Sequence, residues 1–271
     1  MSAQERHGGY RETMSAHVHS SLDDDHPARP HSSAREAAAP YDPLTFVPDS
    51  AHLLARGRNA DVYLINDTQV LRRLHTGATN YPNVDLLRHL NAHGYPTARL
   101  IAVEGTDLVM ERLHGPTLLQ ALDTEVVTIP EGVRILLDLH NALHALPLPP
   151  GTEASAGECI LHLDLHPGNV LLTSTGPQVI DWEAARFGPA ELDLATTALI
   201  FAEVVVDGNE YAHAAHSMLR HFNDATGPGY GAQVAEAADL RAAHPTLDPA
   251  ERELLPEARN VVARELERIT G

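Results

Sequence analysis

The chain has 271 residues, 43% of them hydrophobic, a formal net charge of -18 and one cysteine, Cys159. That length and apolar content suffice for one large domain or two lobes around a buried core, and a single cysteine excludes an internal disulfide. All 19 basic residues are arginine, which excludes Schiff-base chemistry and the lysine-bearing P-loop cradle, while the acidic balance repels a phosphate backbone and argues against a nucleic-acid partner. The excess of acids would attract a small cationic partner, although solubility is the plainer reading. Every apolar run falls far short of the ~18 residues of a membrane span. The opening MSAQERHGGYRETM mixes acids and bases and lacks the apolar core of a secretory signal, so a cytoplasmic setting is expected.

Residues 1–44 are rich in Ser, Ala, His, Pro and Asp without a sustained apolar period and are expected to form a disordered tail. Of its five histidines only His17 and His19 have ligand-like spacing. From Ala51 the pattern turns to short apolar runs split by turn residues, AHLLAR, VYLI and QVLRRL, which predict a three-stranded meander. A helical period follows at Val84, Leu86, Leu87 and Leu90, stopped by His93-Gly94 and Pro96. ARLIAV and DLVMERL then predict two more strands around the turn Glu104 to Asp107. Residues 45–113 are therefore expected to hold a five-stranded antiparallel sheet with one helix.

Beyond Gly115 the pattern is mainly helical, with a helix predicted over Glu131 to Ala145 and others over 191–206, 209–224, 231–243 and 248–269. Between them GECILHLDLHPGNVLL and PQVIDW predict two short strands flanking a loop. Strands first and helices second give an α+β class, with an N-terminal lobe over 45–113 and a C-terminal lobe over 114–271. Cys159, inside an apolar run, reads as a small buried hydrophobe.

The densest chemical signal is His162-Leu163-Asp164-Leu165-His166-Pro167-Gly168-Asn169, followed twelve residues after Asn169 by Asp181. Phosphoryl transfer needs a carboxylate beside the acceptor hydroxyl and oxygen ligands that fix Mg²⁺ on the phosphates. Asp164 supplies the first. Asn169 and Asp181 supply a neutral and an anionic oxygen for a hard cation. A turn from Ser174 to Pro177 would bring all three to one edge.

These strings resemble the aminoglycoside phosphotransferase and choline kinase family, relatives of the protein kinases. The resemblance runs over roughly 51–200 through LVMERLHGPTL, LHALP, HLDLHPGNVLL and VIDWEAARFGPAELDLA. It implies a bilobal protein-kinase-like fold and transfer of the γ-phosphoryl of ATP or GTP to a hydroxyl of a small molecule, cationic ones included. By resemblance, His162 braces the catalytic loop and Asp193 anchors it, while backbone groups of Glu111 and Leu113 in the hinge Met110–Leu113 meet the purine. Arg72 takes the place of the basic residue that grips the phosphates, and Arg73 faces the opposite way as a surface residue. Leu53–Val62 stands where the family has its nucleotide-covering loop, with Gly57 as its only glycine. The acid that usually pairs with the phosphate-gripping residue is replaced by Asn83, and Asp85 is the nearest carboxylate. Only about forty residues separate Pro116 from Glu158, so the acceptor pocket is expected to draw on the last four helices.

Two other readings compete. In a zinc metallohydrolase His162, Asp164 and His166 would share a strand face, with His140 and His144 one helical turn apart as further ligands; that reading leaves Asn169, Asp181 and the meander unexplained. A catalytically silent kinase fold would account for the single-glycine loop and the missing helix acid, but it has no need of Asp164.

Overall fold

A computed structural model describes residues 49–57, 60–75, 84–153, 155–244 and 247–271. The expected tail and Asn83 lie outside these residues. Five antiparallel strands, β1 (Leu53–Arg56), β2 (Ala60–Asn66), β3 (Gln69–Leu74), β4 (Leu100–Glu104) and β5 (Asp107–Glu111), form one sheet in the order β1-β2-β3-β5-β4. The register follows from the two-residue pleat: Arg72 lies opposite Val62 on β2 and Leu108 on β5, while fully buried Leu71 turns to the other face. Arg73 lies opposite Asp107 and grips it with two parallel hydrogen bonds of 2.7 and 2.6 Å. It is thus a cross-strand partner, not the simple surface residue expected.

Helix α1 (Val84–Ala92) buries Leu86, Leu87 and Leu90, each contributing about 1.5–3 kcal/mol by leaving water. Gly94, with φ of 70°, closes the helix in the left-handed conformation. The segment after it is fastened to the second half of the chain: the Val179 amide donates to the Pro96 carbonyl at 2.8 Å, and the Thr97 hydroxyl donates to the Val179 carbonyl. The Trp182 indole donates to that same hydroxyl at 3.0 Å, and Tyr95 packs edge-on against the indole.

Past β5 the chain turns through Gly115, which has φ of 144°. A β-carbon there would lie 2.0 Å from the Leu172 carbonyl oxygen, so only glycine allows this approach. Helix α2 (Leu118–Asp123) starts at a Thr117/Gln120 capping box and α3 (Ile129–His144) at a Thr128/Glu131 box. Two strand pairs follow: β6 (Glu158–Leu161) with β9 (Arg186–Pro189), and the hairpin of β7 (Val170–Thr173) with β8 (Gly176–Val179). Then come α4 (Ala190–Asp207), α5 (Ala212–Thr226), a 3₁₀ turn at Gly229–Gln233, α6 (Val234–Ala243) and α7 (Pro249–Thr270). Helix α4 is buried along most of its length and is the centre of the helical part. The fold is kinase-like, as expected, with an N-terminal sheet and helix and a helical C-terminal part. The 3₁₀ turn replaces the predicted start of a helix at 231, because Pro228 and two glycines disfavour regular helix there.

Candidate active site

The predicted catalytic string fills the connection from β6 to β7, and its shape is imposed from below. Asp193, in the first turn of α4, is fully buried. Its Oδ1 accepts the Leu163 amide at 2.7 Å and its Oδ2 the His162 amide at 3.1 Å. From α3, His144 donates to the same Oδ2 through Nε2 at 2.9 Å, and His140 Nδ1 stands 3.3 Å away. Burial alone would push this carboxyl up, but the histidines and hydrogen bonds around it hold it well below the usual carboxylate range. The two amide bonds keep Leu163 at φ of 60°, a left-handed position rare for a branched side chain. His140 and His144, weighed above as zinc ligands, thus meet at Asp193, and their facing atoms are engaged in this bracing network.

Two further histidines fix the loop. His162 donates from Nε2 to the Ile180 carbonyl at 3.0 Å and accepts the Asp164 amide at Nδ1, which sets its tautomer. His166 accepts the Gly168 amide at Nδ1, leaving Nε2 to face Asp164 Oδ2 at 3.8 Å. Burial pushes the His166 imidazole below its ordinary value, against the opposing pull of the nearby Asp164.

On this frame the Asn169 amide nitrogen donates to the Asp164 carbonyl at 2.9 Å and to Asp164 Oδ2 at 3.0 Å. Committing the nitrogen leaves the amide oxygen as the atom presented for a ligand. The Ile180 amide donates to the Asn169 carbonyl at 3.0 Å, which sets Asp181 beside Asn169 across the β7–β8 hairpin. Asp181 itself has φ of 67°, a conformation Asp tolerates better than most residues. An amide oxygen and a carboxylate are hard donors that suit a hard divalent cation.

From the sheet, Arg72 reaches Asp181 Oδ1 at 3.5 Å and makes a shorter contact with Glu183. Asp85 takes no part in this pairing: its side chain is 94% exposed and bonds Arg88 on its own helix. Glu183 therefore does what the helix acid was expected to do for the basic residue of β3. Gly57 closes the end of β1 by donating to the Ala60 carbonyl at 2.8 Å. The Glu111 amide is used by the Arg99 carbonyl at the end of β5, and Leu113 lies in the connection from β5 to α2.

Sequence reasoning missed one more pair. Arg241 on α6 donates from NH1 to Asp164 Oδ1 at 3.2 Å, and binds Glu203 of α4 through Nε and NH2. No motif or spacing signals a contact spanning 77 positions.

Residues 135–232 match the model described as "Phosphotransferase enzyme family". That stretch is similar to the family, and the fold is like that of solved aminoglycoside phosphotransferases. Among solved structures it is similar to aminoglycoside phosphotransferase APH(4)-Ia, with a TM-score of 0.56 at 15% identity, covering 81% of this chain and 93% of that one. A thermostable mutant of the same enzyme in ternary complex with AMP-PNP and hygromycin B gives 0.54 at 14% identity, covering 81% and 93%. The gentamicin complex of APH(2")-IIa gives 0.51 at 11%, covering 79% and 90%. At these identities the likeness is one of fold. A search of curated sequences returns no match. No helix among the described residues is long and apolar enough to cross a membrane.

Proposed function

We propose that this protein transfers the γ-phosphoryl group of ATP, or of GTP, to a hydroxyl of a small molecule, with Asp164 as catalytic base. The observation that carries the reading is the contact between Asp164 and Asn169 on a loop braced from beneath, with Asp181 beside Asn169 and Arg72 reaching it from the sheet. Asn169, through its amide oxygen, and Asp181 would hold Mg²⁺, which would supply positive charge against the phosphates. Asp164 orients the acceptor hydroxyl and takes its proton as that oxygen bonds the γ-phosphorus and the bond from phosphorus to the departing nucleoside diphosphate breaks. Arg72 turns from Asp181 to phosphate oxygens while Glu183 keeps its guanidinium oriented, a task suited to its planar fork. The hinge at Glu111 and Leu113 would receive the purine, and Gly57 belongs to the turn above the phosphates. The complexes of the structural neighbours with AMP-PNP, hygromycin B and gentamicin support a nucleotide and a small acceptor. The silent-fold alternative is disfavoured by the care with which Asp164 is held.

The test is ADP release over a panel of amino alcohols, sugars, amino acids and aminoglycosides. Asp164→Ala should abolish acceptor-dependent turnover while magnesium-nucleotide affinity stays near normal, and Asp181→Ala should weaken that affinity itself. Near-normal turnover in either variant contradicts the assignment.

A further inference from the structure

Glu203 lies on α4 with no exposed side-chain surface. A carboxylate taken wholly out of water is costly unless paired, and its partner is Arg241, in the last turn of α6. Nε and NH2 of the guanidinium meet the two Glu203 oxygens, the second at 2.9 Å. Such a forked pair fixes the guanidinium plane as well as its position. With one edge of the group so defined, NH1 on the opposite edge is aimed at Asp164 Oδ1, 3.2 Å away. Asp164 Oδ2 is held from the other side by Asn169 at 3.0 Å. Each oxygen of this carboxylate therefore has one fixed donor, and rotation of the carboxylate is pinned from both ends.

A simple charge partner for Glu203 needs no such aim. An ammonium could neutralise the buried carboxylate, but as a point charge it could not hold Glu203 by two bonds and present a third donor in a defined direction. Two helices distant in sequence from the catalytic loop thus converge on the group proposed as base.

Resting on the phosphotransferase reading above, we propose that Glu203 and Arg241 form a positioning pair for the catalytic carboxylate: buried Glu203 sets the guanidinium, and Arg241 sets Asp164 so that its remaining lone pairs face the acceptor hydroxyl. Arg241 acts through Asp164 and contributes to the rate of transfer, not to the affinity for nucleotide.

The experiment needs no identified acceptor. Magnesium-ATP is supplied with water as the phosphoryl acceptor, inorganic phosphate release is followed, and nucleotide affinity is measured separately with a fluorescent ATP analogue. Arg241→Met should slow release by roughly 10²-fold, the scale of a small misplacement of a reacting group, with affinity unchanged. Arg241→Met leaves Glu203 buried and unpaired, so the double variant Arg241→Met/Glu203→Gln is run beside it to remove both charges together; it should fold and show the same loss of rate. Added guanidinium ion should recover part of the rate of Arg241→Ala, where sodium chloride at equal ionic strength does not. If Asp164→Ala abolishes release while the double variant releases phosphate at the wild-type rate, the positioning pair is overturned and the base assignment stands. If wild type releases phosphate no faster than Asp164→Ala, the base assignment falls and this proposal with it. Loss of nucleotide affinity in the folded double variant, or rescue by sodium chloride alone, also overturns it.

Discussion

Replacing Asp193 by Asn keeps the shape of the loop anchor and removes its charge. In the native protein Oδ1 takes the Leu163 amide at 2.7 Å, while Oδ2 takes the His162 amide at 3.1 Å and His144 at 2.9 Å, with His140 at 3.3 Å. Asn has one acceptor oxygen. If it faces the histidines, its own N–H groups confront the Leu163 amide, leaving a buried donor unsatisfied at about 1–3 kcal/mol. The remaining bonds lose their charge assistance, at about 1 kcal/mol each. The sum, about 3–5 kcal/mol, matches the cost of removing one partner from a buried ionic network. A urea melt should therefore show the midpoint lowered by about 1–2 M. The pH dependence has a defined sign. The folded carboxyl lies below its unfolded value of about 3.9, so the stabilisation is complete above roughly pH 5 and is lost as pH falls through the folded value. The gap between wild type and Asp193→Asn should shrink as the melts are taken from neutral towards acid pH. A midpoint that hardly moves, or a gap that widens in acid, refutes this account of the loop.

Cys159 is buried between β6 and β9 against the Gly188 carbonyl, and burial, with Asp193 and Glu191 nearby, pushes its thiol up to about 11. Ellman's reagent should label it only on unfolding; fast labelling of native protein would show that the β6–β9 pair opens. Arg72→Ala should weaken magnesium-nucleotide binding about tenfold, or about 1.4 kcal/mol. If Glu183 works by orienting Arg72, Glu183→Gln should weaken binding in the wild-type background and add nothing to Arg72→Ala. A further loss in the double variant would mean that Glu183 acts on the metal-nucleotide directly.

The five strands, α1 and the β6–β7 loop were legible because their signals are local: alternating apolar runs, a helical period stopped by Gly94, and the tight string from His162 to Asn169. Strand β9 was not legible. Arg186–Pro189 carries a glycine and a proline, which oppose strand formation, and only pairing with β6 makes it extended. The Arg73–Asp107 pair required the β3–β5 register, which no single-strand pattern contains. The same limit hid Glu183 as the partner of Arg72: the expectation looked to the first helix, whereas the acid comes from two residues past Asp181. Asp193 was expected beneath the loop by resemblance, but the roles of His140 and His144 depend on how α3 packs on α4, and their helical spacing suited a metal equally well. Arg241 and Glu203 meet only because α4 and α6 are brought together by the folded core, and residue type alone marks neither of them.

The most direct measurement is a crystal structure with magnesium and a non-hydrolysable ATP analogue. Magnesium should be bound by oxygens of Asn169 and Asp181 at about 2.0–2.1 Å, with the γ-phosphate facing the Asp164 carboxylate and Arg72 on phosphate with Glu183 still beside it. A triphosphate bound away from Asp164, Asn169 and Asp181, or metal held by His140, His144 and Asp193 instead, would contradict the account.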